Sequence, residues 1–237
     1  VLEIGAGLGV LTKALAGTAR HVHAFEVDRS LEAALTETLQ DDARVTLHFE
    51  DVMKTSLEDL DPTPTVCASN LPYSVAGTFL IESLQRLPSV RRYCVMVQRE
   101  VAQRLSAVPG TKTYGVLSIW VRLYADIVCT RPLARSIFYP RPHVDSSLVV
   151  LDRLATEELP ELESGQLRAV IQAAFGQRRK TLANCLSAGL CLSREQALEI
   201  VADLGLQADV RAERLAPRQF VEIAERVYDQ LDRGHIV

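Results

Sequence analysis

A doubly wound α/β sheet of seven strands, followed by a small all-helical domain, is the architecture this sequence predicts. Three observations predict it. The chain opens on a strand, a glycine turn and a helix. Apolar runs of strand length then alternate with helical patterns as far as Leu151, and beyond Leu151 only helical patterns remain. The expected domains are 1–152 and 153–237.

Val1-Leu2-Glu3-Ile4 reads as the inside of a strand, so further residues, and any targeting signal with them, are expected upstream. Gly5-Ala6-Gly7-Leu8-Gly9 then turns the chain into a helix patterned by Val10, Leu11, Ala14 and Leu15. Such a turn lets backbone approach a ligand closely at a helix N-terminus. A dinucleotide fingerprint would place glycine where this chain has Val10, so the nicotinamide reading loses ground.

His21 to Phe25 alternates as a second strand and ends in Glu26, seventeen residues after Gly9. A carboxylate at that tip can accept both hydroxyls of a ribose, although a strand-end surface acid reads the same way. Ser30 to Leu39 is an amphipathic helix, and Val45 to Phe49 a third strand that runs into Glu50-Asp51-Val52. Asp51 falls where a third strand reaches a bound base, whose amine hydrogens it can accept; a lone Asp there is also an ordinary helix cap.

The fourth strand, Thr65 to Ser69, closes on Asn70-Leu71-Pro72-Tyr73. An amide, a rigid proline and an exposed ring build a core poorly but hold a flat, nitrogen-bearing substrate well. The Asn70 side-chain oxygen can accept one N6 hydrogen of an adenine. The Leu71 carbonyl, held extended by Pro72, can accept the other, and Tyr73 can stack on the ring.

A helix from about Thr78 to Leu87, a buried strand from Tyr93 to Gln98 and a helix from Arg99 to Leu105 follow, the last broken by Pro109-Gly110. Leu117 to Tyr124 reads as helix on length. Ile127-Val128 and Leu148 to Leu151 supply the last two strands. Between them, Phe138-Tyr139-Pro140-Arg141-Pro142-His143-Val144-Asp145-Ser146 is a proline-stiffened loop whose Phe138 can wall an aromatic pocket. Glu157 to Ser164 reads as an acidic linker. A helix from about Gln166 to Phe175 then leads into Gly176-Gln177-Arg178-Arg179-Lys180-Thr181.

A hydrophobic content of 48% without a run of eighteen apolar residues indicates a soluble globular protein with no membrane span, and the cysteines point to the cytoplasm. Five scattered cysteines without a Cys-x-x-Cys pair suit buried thiols in a reducing compartment, and no His/Cys cluster has metal-ligand spacing. The net charge of −4 disfavours nucleic acid weakly, because Arg86, Arg91, Arg92, Arg99, Arg104 and Arg178-Arg179-Lys180 can still form a basic face.

These motifs together resemble the ribosomal RNA adenine N6,N6-dimethyltransferases of the small-subunit (16S) type. The likeness rests on Glu3 to Gly7, Glu26, Asp51, Asn70 to Tyr73, the Phe-x-Pro-x-Pro-x-Val-x-Ser loop from Phe138 to Ser146, and Phe-x-Gln-Arg-Arg-Lys-Thr with Arg211-Ala212-Glu213 beyond it. It implies a class I methyltransferase (Rossmann-like) sheet and S-adenosylmethionine held by Glu3, Gly5, Gly7, Glu26, Asp51, Val52 and Asn70. It further implies catalysis by Asn70, Leu71, Tyr73 and Phe138, and RNA contact by Arg178, Arg179 and Lys180. A monomer acting on ribosomal RNA in the immature small subunit is the implied setting. Family members also carry a Gln-Asn-Phe-Leu segment over the cofactor, ahead of where this sequence begins.

Three rivals stand beside that reading: the large-subunit enzymes of the antibiotic-resistance type, a non-catalytic RNA-binding assembly or transcription factor on the same fold, and a DNA adenine methyltransferase. Leu71 and the helical appendage favour RNA over DNA. Asn70 and Glu26 are both in place, as an enzyme requires.

Overall fold

The computed structural model describes residues 1–137, 141–155, 164–177 and 179–234. By contacts the chain divides into two compact units, Val1–Gln103 with Tyr124–Leu154, and Arg104–Leu123 with Ala155–Val237. The segment Arg104–Leu123 thus groups with the C-terminal helices, although it precedes the boundary near residue 152 that the pattern change suggests.

In the first unit, β1 (Leu2–Ile4), β2 (Val22–Phe25), β3 (Val45–His48), β4 (Val66–Asn70), β5 (Arg92–Gln98), β6 (Ala125–Leu133) and β7 (Ser146–Arg153) form one sheet in the order β3-β2-β1-β4-β5-β7-β6. The first five strands run parallel and β7 lies antiparallel to both β5 and β6. Strand order reverses between β1 and β4, which is where open α/β sheets bind ligands, beyond the carboxyl ends of the strands. The glycine turn leaves β1 and the Asn-Leu-Pro-Tyr turn leaves β4 at that point.

Helices α1 (Val10–Ala16), α2 (Glu32–Leu39) and α3 (Ala76–Arg86) link the parallel strands, as such strands require. Ala6, Ala16, Val22, Ala24, Leu35 and Leu39 bury a continuous apolar cluster between the first two helices and the sheet. The expected helix from Ser30 begins instead as a 3-10 turn, Arg29–Leu31. Asp28 caps that turn by accepting the Ser30 N–H.

The largest departure from expectation is β6, nine residues long where two were expected. It is one of the sheet's two edge strands. An edge strand needs backbone partners on one side only, so it tolerates Pro132, a bulge between Ile127 and Cys129, and a run of exposed residues from Val128 to Pro132 that hides its periodicity. Cys129 is exposed on it, as is Cys191 elsewhere, so the expectation of buried thiols holds for Cys67 and Cys185 but not for these two.

The second unit contains most of α5 (Val116–Tyr124), helical as expected, and α6 (Ser164–Phe175), α7 (Leu182–Gly189), α8 (Arg194–Asp203) and α9 (Pro217–Gly234). Helix α4 (Arg99–Ser106) runs across the division. Phe220, Ile223, Ala224 and Val227 place an apolar stripe on α9 at helical spacing, all buried. Gly189 lets α7 pass against α6, since a Cβ there would lie 2.6 Å from that of Ala173. The Tyr114 hydroxyl donates to Leu215 O at 2.8 Å, tying the α4–α5 connection to the segment before α9. Among the described residues, no helix is long and apolar enough to cross a membrane.

Candidate active site

β1 ends in a turn whose geometry is set by backbone. The Gly5 and Ala6 N–H groups both donate to Phe25 O, at 2.8 and 3.0 Å, which folds the turn over the tip of β2. Gly5 has φ +78°, and a Cβ built there would come within 2.9 Å of Pro72 Cγ. Only glycine therefore satisfies both the left-handed backbone and the contact with the second motif.

Glu26, at the tip of β2, is nearly buried, and its carboxylate is fixed by three backbone donors. Oε2 accepts from Gly7 N at 2.9 Å, while Oε1 accepts from Val27 N at 2.8 Å and Asp28 N at 2.9 Å. Those bonds use three of about four acceptor positions. In this conformation the carboxylate leaves room for one ribose hydroxyl, not the two expected from its place at the strand tip.

Asp51 caps the short 3-10 turn Val52–Lys54, accepting Met53 N–H on Oδ1 at 3.0 Å, with Lys54 Nζ 3.6 Å from Oδ2. Cap and ligand wall are not exclusive here. Gly5, Glu26, Asp51, Val52, Pro72 and Val75 all border one cavity of about 200 Å³ at the switch point.

Glu3 does not border it. The side chain is 1% exposed, and its Oε2 and the hydroxyl of Thr12 are both buried without a hydrogen-bond partner. Burial pushes the Glu3 carboxyl up to about 7. The resemblance implies a cofactor contact for Glu3, whereas its side chain lies in the core, in a strand buried on both faces.

Beyond Pro72, Asn70 ends β4 with its side chain exposed, and its backbone is in register with Met96. Leu71 is 1% exposed, and its N–H donates to Met96 O at 3.0 Å. Tyr73 is 40% exposed, and its hydroxyl lies 3.1 Å from the Oγ of Ser146, itself buried. That bond ties the Asn-Leu-Pro-Tyr turn to the end of the Phe138–Ser146 loop. The sequence alone assigns Ser146 no role, because a serine beginning a strand has no distinctive spacing. Phe138 lies outside the described residues, as does Arg178.

Arg179 and Lys180 are exposed in the turn before α7, where Thr181 caps the helix through Asn184 N. Cations at a helix N-terminus oppose the helix dipole, so these two are not there to stabilise α7. Of the other arginines expected on a basic face, two are paired with acids. Arg86 pairs with Glu58, at 2.8 and 3.0 Å, and Arg92 pairs with Asp152, both at the amino-terminal end of the parallel strands, away from the cavity.

Sequence reading also missed a histidine array behind the cavity. His23 Nε2 lies 2.9 Å from Pro62 O, His23 Nδ1 lies 3.2 Å from His48 Nε2, and His48 stacks on Phe25, a cavity wall, at 4.4 Å. A carbonyl only accepts, so His23 carries its proton on Nε2 and receives one from His48 Nε2. Burial lowers the pKa of both rings, which keeps them neutral and packed.

The family model described as Ribosomal RNA adenine dimethylase matches residues 1–229. The chain belongs to the ribosomal RNA adenine dimethylase family. Relatives within it include the Ribosomal RNA small subunit methyltransferase A of Streptomyces griseus, 42% identical over 233 residues that cover 95% of this chain and 78% of that protein. The protein of the same description from Anoxybacillus flavithermus is 36% identical over 241 residues, covering 96% and 80%. Among solved structures, a dimethyladenosine transferase from Plasmodium falciparum matches with a TM-score of 0.77 at 22% identity, over 98% of this chain and 90% of that one. The 23S rRNA methyltransferase ErmE matches at 0.63 and 23% identity, over 96% and 90%. Both likenesses bear on the fold, a class I methyltransferase sheet with a helical C-terminal region.

Members of the ribosomal RNA adenine dimethylase family use S-adenosylmethionine, and this chain is such a methyltransferase. The cavity suits the nucleoside part of that cofactor. A Glu26 carboxylate pre-oriented by backbone offers an acceptor to a ribose, Asp51 offers one to an amine, and Val52, Val75 and Phe25 supply apolar walls.

Proposed function

We propose that this protein dimethylates the N6 amine of two adjacent adenosines in the 16S RNA of the immature small ribosomal subunit, acting as a cytoplasmic monomer. The observation that carries the reading is the contact between Gly5 and Pro72. It makes one wall common to the cofactor cavity and the Asn70–Tyr73 turn, so donor and acceptor are held on either side of a single residue. The similarity to proteins described as small-subunit methyltransferase A favours the small subunit over the large.

Held by Gly5, Glu26, Asp51 and Val52, S-adenosylmethionine would supply an electrophilic sulfonium methyl to the target nitrogen, its S–CH3 bond breaking and the neutral thioether leaving as S-adenosylhomocysteine. Asn70 Oδ1 and the Leu71 carbonyl orient the amine by accepting its hydrogens, which leaves the nitrogen lone pair toward the methyl. Both acceptors stabilise positive charge as it grows on nitrogen. Tyr73, steadied by Ser146, stacks on the base and adds cation–π attraction. No strong base is needed, because the amine becomes acidic once it carries the extra methyl and charge. After one transfer the amine keeps a hydrogen for one acceptor, and the second transfer uses the same groups. Arg178, Arg179 and Lys180 contact RNA phosphates.

Tritiated methyl transfer to unmethylated small subunits, large subunits and duplex DNA tests the reading. Label confined to small subunits, with dimethyladenosine found by mass analysis, is expected. Transfer to large subunits or DNA alone, or to none of the three, overturns it.

A further inference from the structure

A second and larger cavity, about 490 Å³, opens at the carboxyl end of β5, bordered by the first turns of α4 and by the residues before β7. It adjoins the acceptor turn along the sheet. Met96 is in register with Asn70, and Gln98, two residues further along β5, is in register with Ser146, which holds Tyr73. Two strand residues advance about 6.6 Å. That is a step of one nucleotide along an extended strand of RNA.

The chemistry of the wall favours a base over a phosphate. Arg99 and Arg135 are its cations, but Glu100 and Asp145 balance them. Arg135 is moreover engaged with the loop, donating to Asp145 Oδ1 through its N–H and to His143 O through its guanidinium, each at 3.2 Å, and Arg99 lies 3.9 Å from Asp145 Oδ2. A lining that nets to no charge traps a bare anion poorly. It does offer an apolar surface in Val144, 42% exposed, and a ring in His143. The Gln98 and Gln103 side-chain amides border the cavity and make no hydrogen bond among the described residues. Each amide presents a donor and an acceptor side by side, the pair that matches the edge of an adenine.

Resting on the methyltransferase reading above, we propose that this cavity receives the unstacked base next to the target adenosine and reads its edge through Gln98 and Gln103. The protein thereby selects its substrate at a position other than the one that receives the methyl in that turnover.

The test uses the full-length protein with its cofactor and small subunits reconstituted with RNA bearing each of the four bases beside the target. Single-turnover methylation is measured for wild type and for a Gln98→Leu, Gln103→Leu variant, whose thermal melting and S-adenosylhomocysteine affinity are expected to match wild type. A matched amide pair discriminates by about five- to hundredfold, so wild-type rates should fall by that factor on the wrong neighbour. The variant should be slower on the native sequence and insensitive to the neighbour. Wild-type rates independent of the neighbour, or a variant that discriminates as well as wild type, overturn the proposal while leaving the methyltransferase reading intact. Absence of transfer by wild type to every substrate overturns the latter instead.

Discussion

The hydroxyls of Tyr73 and Ser146, 73 positions apart in sequence, lie 3.1 Å apart and join the two motifs on the acceptor side of the sheet. Tyr73→Phe keeps the ring but leaves the buried Ser146 Oγ without this partner, at a cost of about 1 kcal/mol. Methylation should slow severalfold through kcat, because the ring is less well placed. Ser146→Ala added to Tyr73→Phe should restore stability but not rate. Equal rates for Tyr73→Phe and wild type would mean the bond is only a strut.

Asn70→Ala removes an acceptor whose contact strengthens as charge develops, so the loss should fall on the chemical step. A charge-assisted hydrogen bond in a dry site contributes roughly 2 to 4 kcal/mol, which corresponds to a slowing of about thirtyfold to a thousandfold. RNA affinity by filter binding should hold. A variant impaired only in RNA affinity would reduce Asn70 to a turn residue.

Glu26→Ala should do more than weaken cofactor binding. The Gly7, Val27 and Asp28 N–H groups lose their acceptor together, and the expected destabilisation is about 2 kcal/mol by urea titration. Calorimetry with S-adenosylhomocysteine, run below the melting range, should show reduced affinity. Unchanged affinity would separate Glu26 from the cofactor and leave it as a loop anchor.

Replacing Arg178, Arg179 and Lys180 by Ala should weaken RNA binding and flatten its salt dependence. Each lost phosphate contact lowers the log–log slope by about 0.7 to 0.9. Cofactor affinity should not change. A slope identical to wild type would show a solvated turn.

The acid–base behaviour of the fold has a sign that can be worked out. With its carboxyl raised from 4.5 to about 7, Glu3 contributes stability that is fully present below pH 4.5 and lost as pH rises through 7. Glu3→Gln should abolish that loss and gain on the order of 2 to 3 kcal/mol at pH 8. His23 and His48 act oppositely. Their lowered values remove stability as pH falls below 6.5, so the Glu3→Gln protein should gain stability steadily from pH 5 to 8. Urea melts at half-unit intervals would reveal a residual downward slope, which is the contrary outcome.

Local chemistry was legible in the sequence. The alternation of strand and helix, the glycine turn after β1, the acid at the tip of β2, the Asn-Leu-Pro-Tyr turn after β4 and the change to helices after Leu151 all follow from periodicity and from residues whose donors, rings or backbone freedom have few other uses. What joins them was not legible, because it depends on strand order. The reversal between β1 and β4 brings Gly5 against Pro72, and the antiparallel return of β7 between β5 and β6 sets Ser146 beneath Tyr73 and opens the Gln98 cavity. Glu3 is likewise buried only because the fold covers both faces of β1, the one that carries Leu2 and Ile4 and the one that carries Glu3. A single chain's pattern records which residues are apolar and how often they recur; the register between segments tens of residues apart leaves no mark in that pattern, and only the folded sheet supplies it.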